Sequence, residues 1–168
     1  MMVKEVRIPK KSGGTRALGI PTVSDRIAQQ VVKSYLEPKV EGSFHADSYG
    51  YRPNKSAYQA LKEAKNRCRA CGWVIDLDIR GFFDNIDHDI LLGILEEKIS
   101  GEKDDSGKIF RIIKEIISSY SSGCGLNKGI PLGNVTSQVF ANIYLNILDN
   151  YVKKELKCRF YVRYNDDL

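Results

Sequence analysis

Hydrophobic positions along this chain follow two periods. Val3 to Ile8 alternates apolar with polar, predicting a strand. Lys10-Lys11-Ser12-Gly13-Gly14 has turn chemistry, and Thr15 to Ile20 returns as a second strand. The pair is a basic hairpin with Lys10 and Lys11 at its tip and Arg16 just beyond. After Pro21 the period lengthens. Ser24 as N-cap, Asp25 in the first turn, and Ile27, Val31, Val32, Tyr35 and Leu36 predict a helix that Pro38 stops. A second helix runs from about Ser56 to Ala70, with Ala57, Ala60, Leu61, Ala64 and Cys68 on one face and Gly72 at its end. Trp73 to Ile79 is a continuous apolar run broken only by Asp76 and Asp78, which predicts a buried strand. Asp87 caps a helix carrying Ile90, Leu91, Ile94 and Leu95. Beyond a polar loop from Ser100 to Gly107, Ile109 to Tyr120 is amphipathic. A glycine-rich stretch, Gly123 to Gly133, leads into a long helix from about Asn134 to Leu156, with Val135, Val139, Ile143, Ile147 and Tyr151 spaced by four. Cys158 to Tyr164 predicts the last strand.

The expected fold class is therefore α/β of the α+β kind, a small antiparallel sheet packed with helices. Composition fits a soluble globular domain: 168 residues, 42% hydrophobic and 28% charged. No apolar run approaches the roughly 20 residues of a membrane span. The N-terminus carries no apolar signal region, so a cytoplasmic protein with no membrane partner is expected. The formal net charge of +5 favours a polyanionic partner. Cys68, Cys71, Cys124 and Cys158 have two readings, reduced structural thiols or zinc ligands, and the wide spacing of the second pair favours the first.

The chemistry concentrates in acidic residues at strand ends. Asp166 and Asp167 follow the run Tyr161-Val162-Arg163-Tyr164, and Asp78 ends a similar run 88 positions before Asp166. Adjacent carboxylates repel, and partial burial makes that costlier. If the two strands pair, three carboxylates meet at one sheet edge. Oxygen-only ligands select magnesium or manganese, and two such ions about 4 Å apart form a clamp for in-line phosphoryl transfer. Asp76 points to the opposite face of its strand from Asp78. Each signal has a blander alternative. The acidic pair also suits a simple turn, and the hairpin also suits a solvated charged tip. The stretch from Glu41 to Asn54 interleaves Phe44, Tyr49 and Tyr51 with Arg52, which suits nucleic-acid contact or a packed loop alike.

Five boxes in order carry a family resemblance. Tyr164-Asn165-Asp166-Asp167 resembles the Tyr-x-Asp-Asp box of reverse transcriptases. Asp78-Ile79-Arg80-Gly81-Phe82-Phe83 is similar to their first catalytic box. Ile8-Pro9-Lys10-Lys11 with Arg16-Ala17-Leu18-Gly19-Ile20-Pro21 and Asp25-Arg26, then Ser48-Tyr49-Gly50-Tyr51-Arg52-Pro53, resemble boxes of group II intron reverse transcriptase–maturases. Gly129 to Gln138 looks like the box before the long helix. The resemblance implies a right-hand polymerase, with fingers and partial palm, making DNA on an RNA template from a DNA primer and deoxynucleoside triphosphates. It implies that Asp78, Asp166, Asp167 and the carbonyl of Ile79 hold two magnesium ions, with manganese as a substitute. It implies that Lys10 and Arg16 grip the triphosphate, that Phe83 lies under the sugar, and that Leu132 and Gly133 flank the incoming nucleotide. Lys11, Arg52 and Tyr164 would contact nucleic acid. Leu132 and Gln138 depart from the usual Gln and Pro and resemble diversity-generating retroelements, implying loose template reading. Asn165 stands where Ala or Met is usual.

In these terms, residues 1–72 are expected as fingers, 73–99 as palm with the first catalytic Asp, 100–130 as fingers and connection, and 131–168 as palm. The thumb is expected to be absent, because the chain stops one residue after Asp167. A fragment so ended is expected not to polymerise processively, and its last strand offers an unpaired edge through which two copies could dimerise. A bacterial origin is expected, with intron RNA as a further partner. One rival is an RNA-binding, maturase-type module without polymerisation. Another is a nucleotide cyclase, which leaves the Arg16 hairpin and the Ser48–Pro53 box unexplained.

Overall fold

Alternation in the first twenty residues gives a hairpin. Strands β1 (Val3–Pro9) and β2 (Thr15–Pro21) pair antiparallel, from Val3 opposite Pro21 to Pro9 opposite Thr15. The computed structural model describes residues 3–9, 15–69, 71–99, 106–120, 125 and 127–168. The tip of the hairpin, with Lys10 and Lys11, lies outside them, as does the side chain of Arg16. Val6 and Ile8 are exposed, so the hairpin stands off the core. The Gly19 N–H donates to the Leu132 carbonyl (3.2 Å) and ties it down.

Helix α1 (Val23–Val40) starts two residues earlier than expected. Thr22, not Ser24, is the N-cap, because its extended backbone lets the hydroxyl accept from the Asp25 N–H (3.2 Å). Pro38 does not stop the helix. It sits in the last turn, where the lost bond to the Ser34 carbonyl is tolerated, and the helix continues to Val40. Its buried face is Gln29, Val32, Leu36 and Val40, leaving Ile27 and Val31 exposed. Helix α2 (Ala57–Cys68), capped by Ser56, buries only Ala60, and the expected apolar face with Leu61 and Cys68 is exposed. It is held by polar bonds instead. Arg67 donates to Asp47, Glu63 and the Tyr161 carbonyl.

The core is helical. After the one-turn helix α3 (Phe82–Asn85), α4 (His88–Ile99), α5 (Ser106–Ser118) and α6 (Val135–Asn150) pack with α1. They join through Val32, Leu36, Leu91, Leu95, Ile113, Ile117, Phe140 and Ile143, all nearly or fully buried. Each such aliphatic contributes about 1.5–3 kcal/mol. Asp87 caps α4 as expected, its Oδ1 accepting from the N–H groups of Asp89 and Ile90. Helix α6 begins after Asn134 and is buried over most of its girth. The stripe spaced by four does not stay inside: Ile147 and Tyr151 are exposed. Four residues overshoot one turn by about 40°, so such a stripe rotates off any single face. A π-helical turn, Tyr151–Glu155, continues α6.

The two later strands need correction. Trp73–Ile79 and Cys158–Tyr164 form no ladder, and the second run bends at Arg159 and Phe160. Their strand-like pairing with other segments is limited to isolated bridges, such as Asp78 with Asp167 and Arg163 with Ser48. Trp73 is 92% exposed and Ile75 77%, so this apolar run is not a buried strand. An extended run becomes a buried strand only when neighbours cover it, and among the described residues only its end meets a partner. The mixed architecture stands, but among the described residues the sheet within it is the β1–β2 hairpin. Among the described residues no helix is long and apolar enough to cross a membrane.

Candidate active site

The three aspartates come together by backbone pairing. The Leu77 N–H donates to the Leu168 carbonyl (3.0 Å), the Leu168 N–H donates to the Leu77 carbonyl (2.8 Å), and the Ile79 N–H donates to the Asp166 carbonyl (3.3 Å). Asp78 thus faces Asp167 in an antiparallel bridge without direct bonds between the two residues. In that kind of pair opposed Cα atoms are only about 4.5 Å apart, the closest a sheet allows. A two-residue turn presents Asp166. The Tyr164 N–H donates to the Asp167 carbonyl (2.9 Å) and the Asp167 N–H returns to Tyr164 (3.1 Å). Asn165, at φ 58°, takes the left-handed position of that turn, which Asn tolerates better than most residues.

The local electrostatics favour a cation. Partial burial and, on this exposed side chain more tellingly, the negative charges of Asp166, Asp78 and Asp76 raise the Asp167 carboxyl above its ordinary value of 3.8. Among the described residues no three His, Cys, Asp or Glu side chains are gathered closely enough to hold a metal ion. Asp78 and Asp166 line one cavity, and Asp167 lies near enough to feel the charge of both. Their all-oxygen donor chemistry fits magnesium or manganese. The same absence of a ligand cluster covers Cys68, Cys71 and Cys158, which are free thiols; Cys124 lies outside the described residues.

Asp78 and Asp166 open onto a cavity of about 570 Å3. Ile79, Phe82, Phe83 and Leu132 line it too, with Thr15 at the foot of β2. Gly81, at φ 62°, turns the chain so that Phe82 and Phe83 follow at once, their rings edge-to-face at 5.2 Å. Leu132 is set from two sides. The Ile130 N–H bonds the Phe83 carbonyl (2.8 Å), and Gly19 bonds the Leu132 carbonyl itself. His88, buried, donates from Nε2 to the Gly129 carbonyl (2.6 Å) and holds the same loop from below. Gly133, at φ 100°, lines a separate groove of about 280 Å3 with Arg26 and Gln29.

Residues 8–168 match the family model for reverse transcriptase (RNA-dependent DNA polymerase). The chain belongs to the reverse transcriptase family. It is 38% identical over 162 residues to the group II intron-encoded protein LtrA of Lactococcus lactis subsp. cremoris, covering 94% of this chain and 26% of that protein. It is 34% identical over 158 residues to protein YkfC of Escherichia coli, covering 89% and 40%. It is 32% identical over 159 residues to the putative COX1/OXI3 intron 2 protein of Saccharomyces cerevisiae, covering 94% and 18%. The chain thus spans well under half the length of these relatives.

Other expected contacts of this reverse transcriptase chain fall differently. Arg52 bonds within its own loop. It bonds Glu41 twice (3.0 and 2.6 Å) and the carbonyls of His45 and Ser48 (2.6 and 2.8 Å), so four of its five N–H donors are held inside the loop it closes. Tyr164 is half-buried at the start of the turn that carries Asp166. Three arginines went unnoticed in the sequence. Arg7 and Arg80 line the cavity. Arg80 stands two positions after Asp78, a spacing that could have flagged it. Arg163 lies fully buried under the turn, and a charge inside an otherwise apolar run was its signal.

Proposed function

We propose that the protein carrying this chain is an RNA-directed DNA polymerase of the group II intron type, and that residues 73–99 and 131–168 are its palm and residues 1–72 and 100–130 its fingers and connection. The observation that carries this is the pairing of Asp78 against Asp167, with Asp78 and Asp166 on one cavity beside Phe83 and Leu132. A nucleoside triphosphate there would lie between acidic and basic walls. Arg7 and Arg80, with Lys10 and Arg16 from the hairpin, supply cations for its phosphates; a guanidinium suits two phosphate oxygens at once. Phe83, on the same cavity, would exclude a 2′-hydroxyl by its bulk and select deoxynucleotides. Asp78, Asp166 and Asp167, with the carbonyl of Ile79, would hold magnesium. When bound, magnesium lowers the pKa of the attacking primer hydroxyl and neutralises the departing pyrophosphate. In the reaction, the 3′-oxygen forms a bond to the α-phosphorus as the bond to the pyrophosphate oxygen breaks.

Two relatives are named for introns, which extends the proposal to intron RNA as a partner. A maturase-type role without synthesis is the second reading. One experiment tests both. Primer extension on an RNA template with magnesium should vanish in Asp78→Ala and Asp166→Asn and in chelator, while RNA retention on a filter persists. Extension by Asp78→Ala at the rate of the unaltered protein would sink the polymerase reading.

A further inference from the structure

Directly beneath the Asp166–Asp167 turn lies a charged pair with no solvent exposure, Arg163 and Asp149, the latter in the last turn of α6. A guanidinium has five N–H donors in a rigid plane, and here all five find acceptors. The Nε group and one Nη2 hydrogen grip the two oxygens of Asp149, each at 2.7 Å. The other Nη2 hydrogen reaches Ser48 Oγ (2.8 Å). Nη1 donates to Asn142 Oδ1 (3.2 Å) and to the backbone carbonyl of Asn165 (2.8 Å). Tyr161 donates its hydroxyl to Asp149 Oδ1 (2.7 Å), completing the hold on that carboxylate.

A buried ion pair alone says little about purpose, since apolar residues of equal volume often stabilise as well. The last of the five bonds is what matters. The Asn165 carbonyl belongs to the peptide that joins Asn165 to Asp166, so Arg163 fixes the plane from which the Asp166 side chain departs. The turn needs such a hold, because Asn165 sits at φ 58°. The seat is tight as well. A Cβ at Gly50 would come within 1.9 Å of Asn165 Oδ1 and 2.5 Å of its backbone nitrogen. The Gly50 carbonyl is held in turn by Asn142 Nδ2 (2.7 Å).

We propose that Arg163, oriented by Asp149, is a positioning residue that sets the Asp166–Asp167 turn for divalent-cation binding opposite Asp78. This rests on the reading of those three aspartates as cation ligands. Manganese titration of this chain, followed by the loss of the free-ion electron paramagnetic resonance signal, tests it without turnover. Arg163→Lys keeps the charge but cannot hold Asp149 and the Asn165 carbonyl together. Its manganese affinity should fall about tenfold or more. Asp149→Asn, nearly isosteric, should fall in the same direction. Ser48→Ala removes one of the five bonds but spares the Asn165 contact, and should bind manganese as the unaltered chain does. In primer extension by the full protein, Arg163→Lys should lower kcat, leave KM for the nucleotide unchanged, and recover with added manganese. Weakened binding in Asp166→Asn but not in a folded Arg163→Lys overturns this inference alone. If Arg163→Lys does not fold, Asp149→Asn decides by the same comparison, and failure of both to fold makes the pair merely structural and overturns it too. Unchanged binding in Asp166→Asn overturns the cation reading and this inference with it.

Discussion

Leu132 lines the cavity beside Asp78 and Asp166 and has no polar group to offer a base. Its position is fixed through its own carbonyl by Gly19 and through the neighbouring Ile130 by Phe83. A site that hydrogen-bonds its substrate rejects analogues far more strongly than an apolar one does. Replacing Leu132 with Gln should therefore lower misincorporation on an RNA template, with little change in folding. Error counts in the products of the full protein check this, and an unaltered error rate would contradict it. At this scale some residues were legible in the sequence and others were not. The carboxylates were legible, because a pair of adjacent Asp after an apolar run is a local signal. Arg52 was not. An arginine among aromatics looks the same in sequence whether its fork points to solvent or into its own loop, and here Glu41 and two carbonyls claimed it. Arg163 was passed over because its partner, Asp149, sits fourteen residues away on a helix whose buried face was misjudged.

The helices and the first hairpin were legible in kind and approximate extent, but the faces they bury were not, and the two later apolar runs form no ladder. Helices α1, α4, α5 and α6 form where periodicity placed them, since apolar spacing and caps are local. Which side packs inward depends on neighbours, and so Ile27, Leu61 and Ile147 lie exposed. Where apolar packing is thin, polar bonds join the elements. Asp47, buried in the loop before α2, ties Arg67 of α2 and Lys153 of the π-helical turn (2.7 and 3.3 Å). Burial would raise its carboxyl, but hydrogen bonds and charge from Arg67 and Lys153 outweigh that and hold it below 3.8. The folded-state pKa is thus the lower one. The stabilisation it gives is complete above about pH 4, the unfolded value, and is lost as pH falls through the folded value. Chemical unfolding at several pH values should show stability declining below pH 4 with Asp47 contributing to the slope. Asp47→Asn should flatten that part of the curve and cost on the order of 3 kcal/mol at neutral pH. An unchanged acid slope in Asp47→Asn would show that the pair does not carry it.

Across the whole molecule, apolar surface is unevenly spent. Four helices enclose the core, while Trp73, Val74, Ile75 and Leu77 stand more than half exposed on a segment anchored mainly at its far end by the Asp78–Asp167 bridge. That bridge brings Asp78 to Asp167, so this exposed apolar run leads directly to the proposed site. Runs of this kind on a free surface drive association, through side chains and through unpaired backbone groups alike. This chain should therefore self-associate as its concentration rises, with mass increasing in light scattering. Trp73 is the sole tryptophan, so its fluorescence reports on this segment alone. Its emission should be that of a water-exposed indole in dilute solution and shift to shorter wavelength as association proceeds. Ile75→Lys, which places a charge in the middle of the run, should keep the chain monomeric and the emission long. Short-wavelength emission from a chain that stays monomeric would mean the segment packs against its own molecule, and would overturn the exposed arrangement on which this rests.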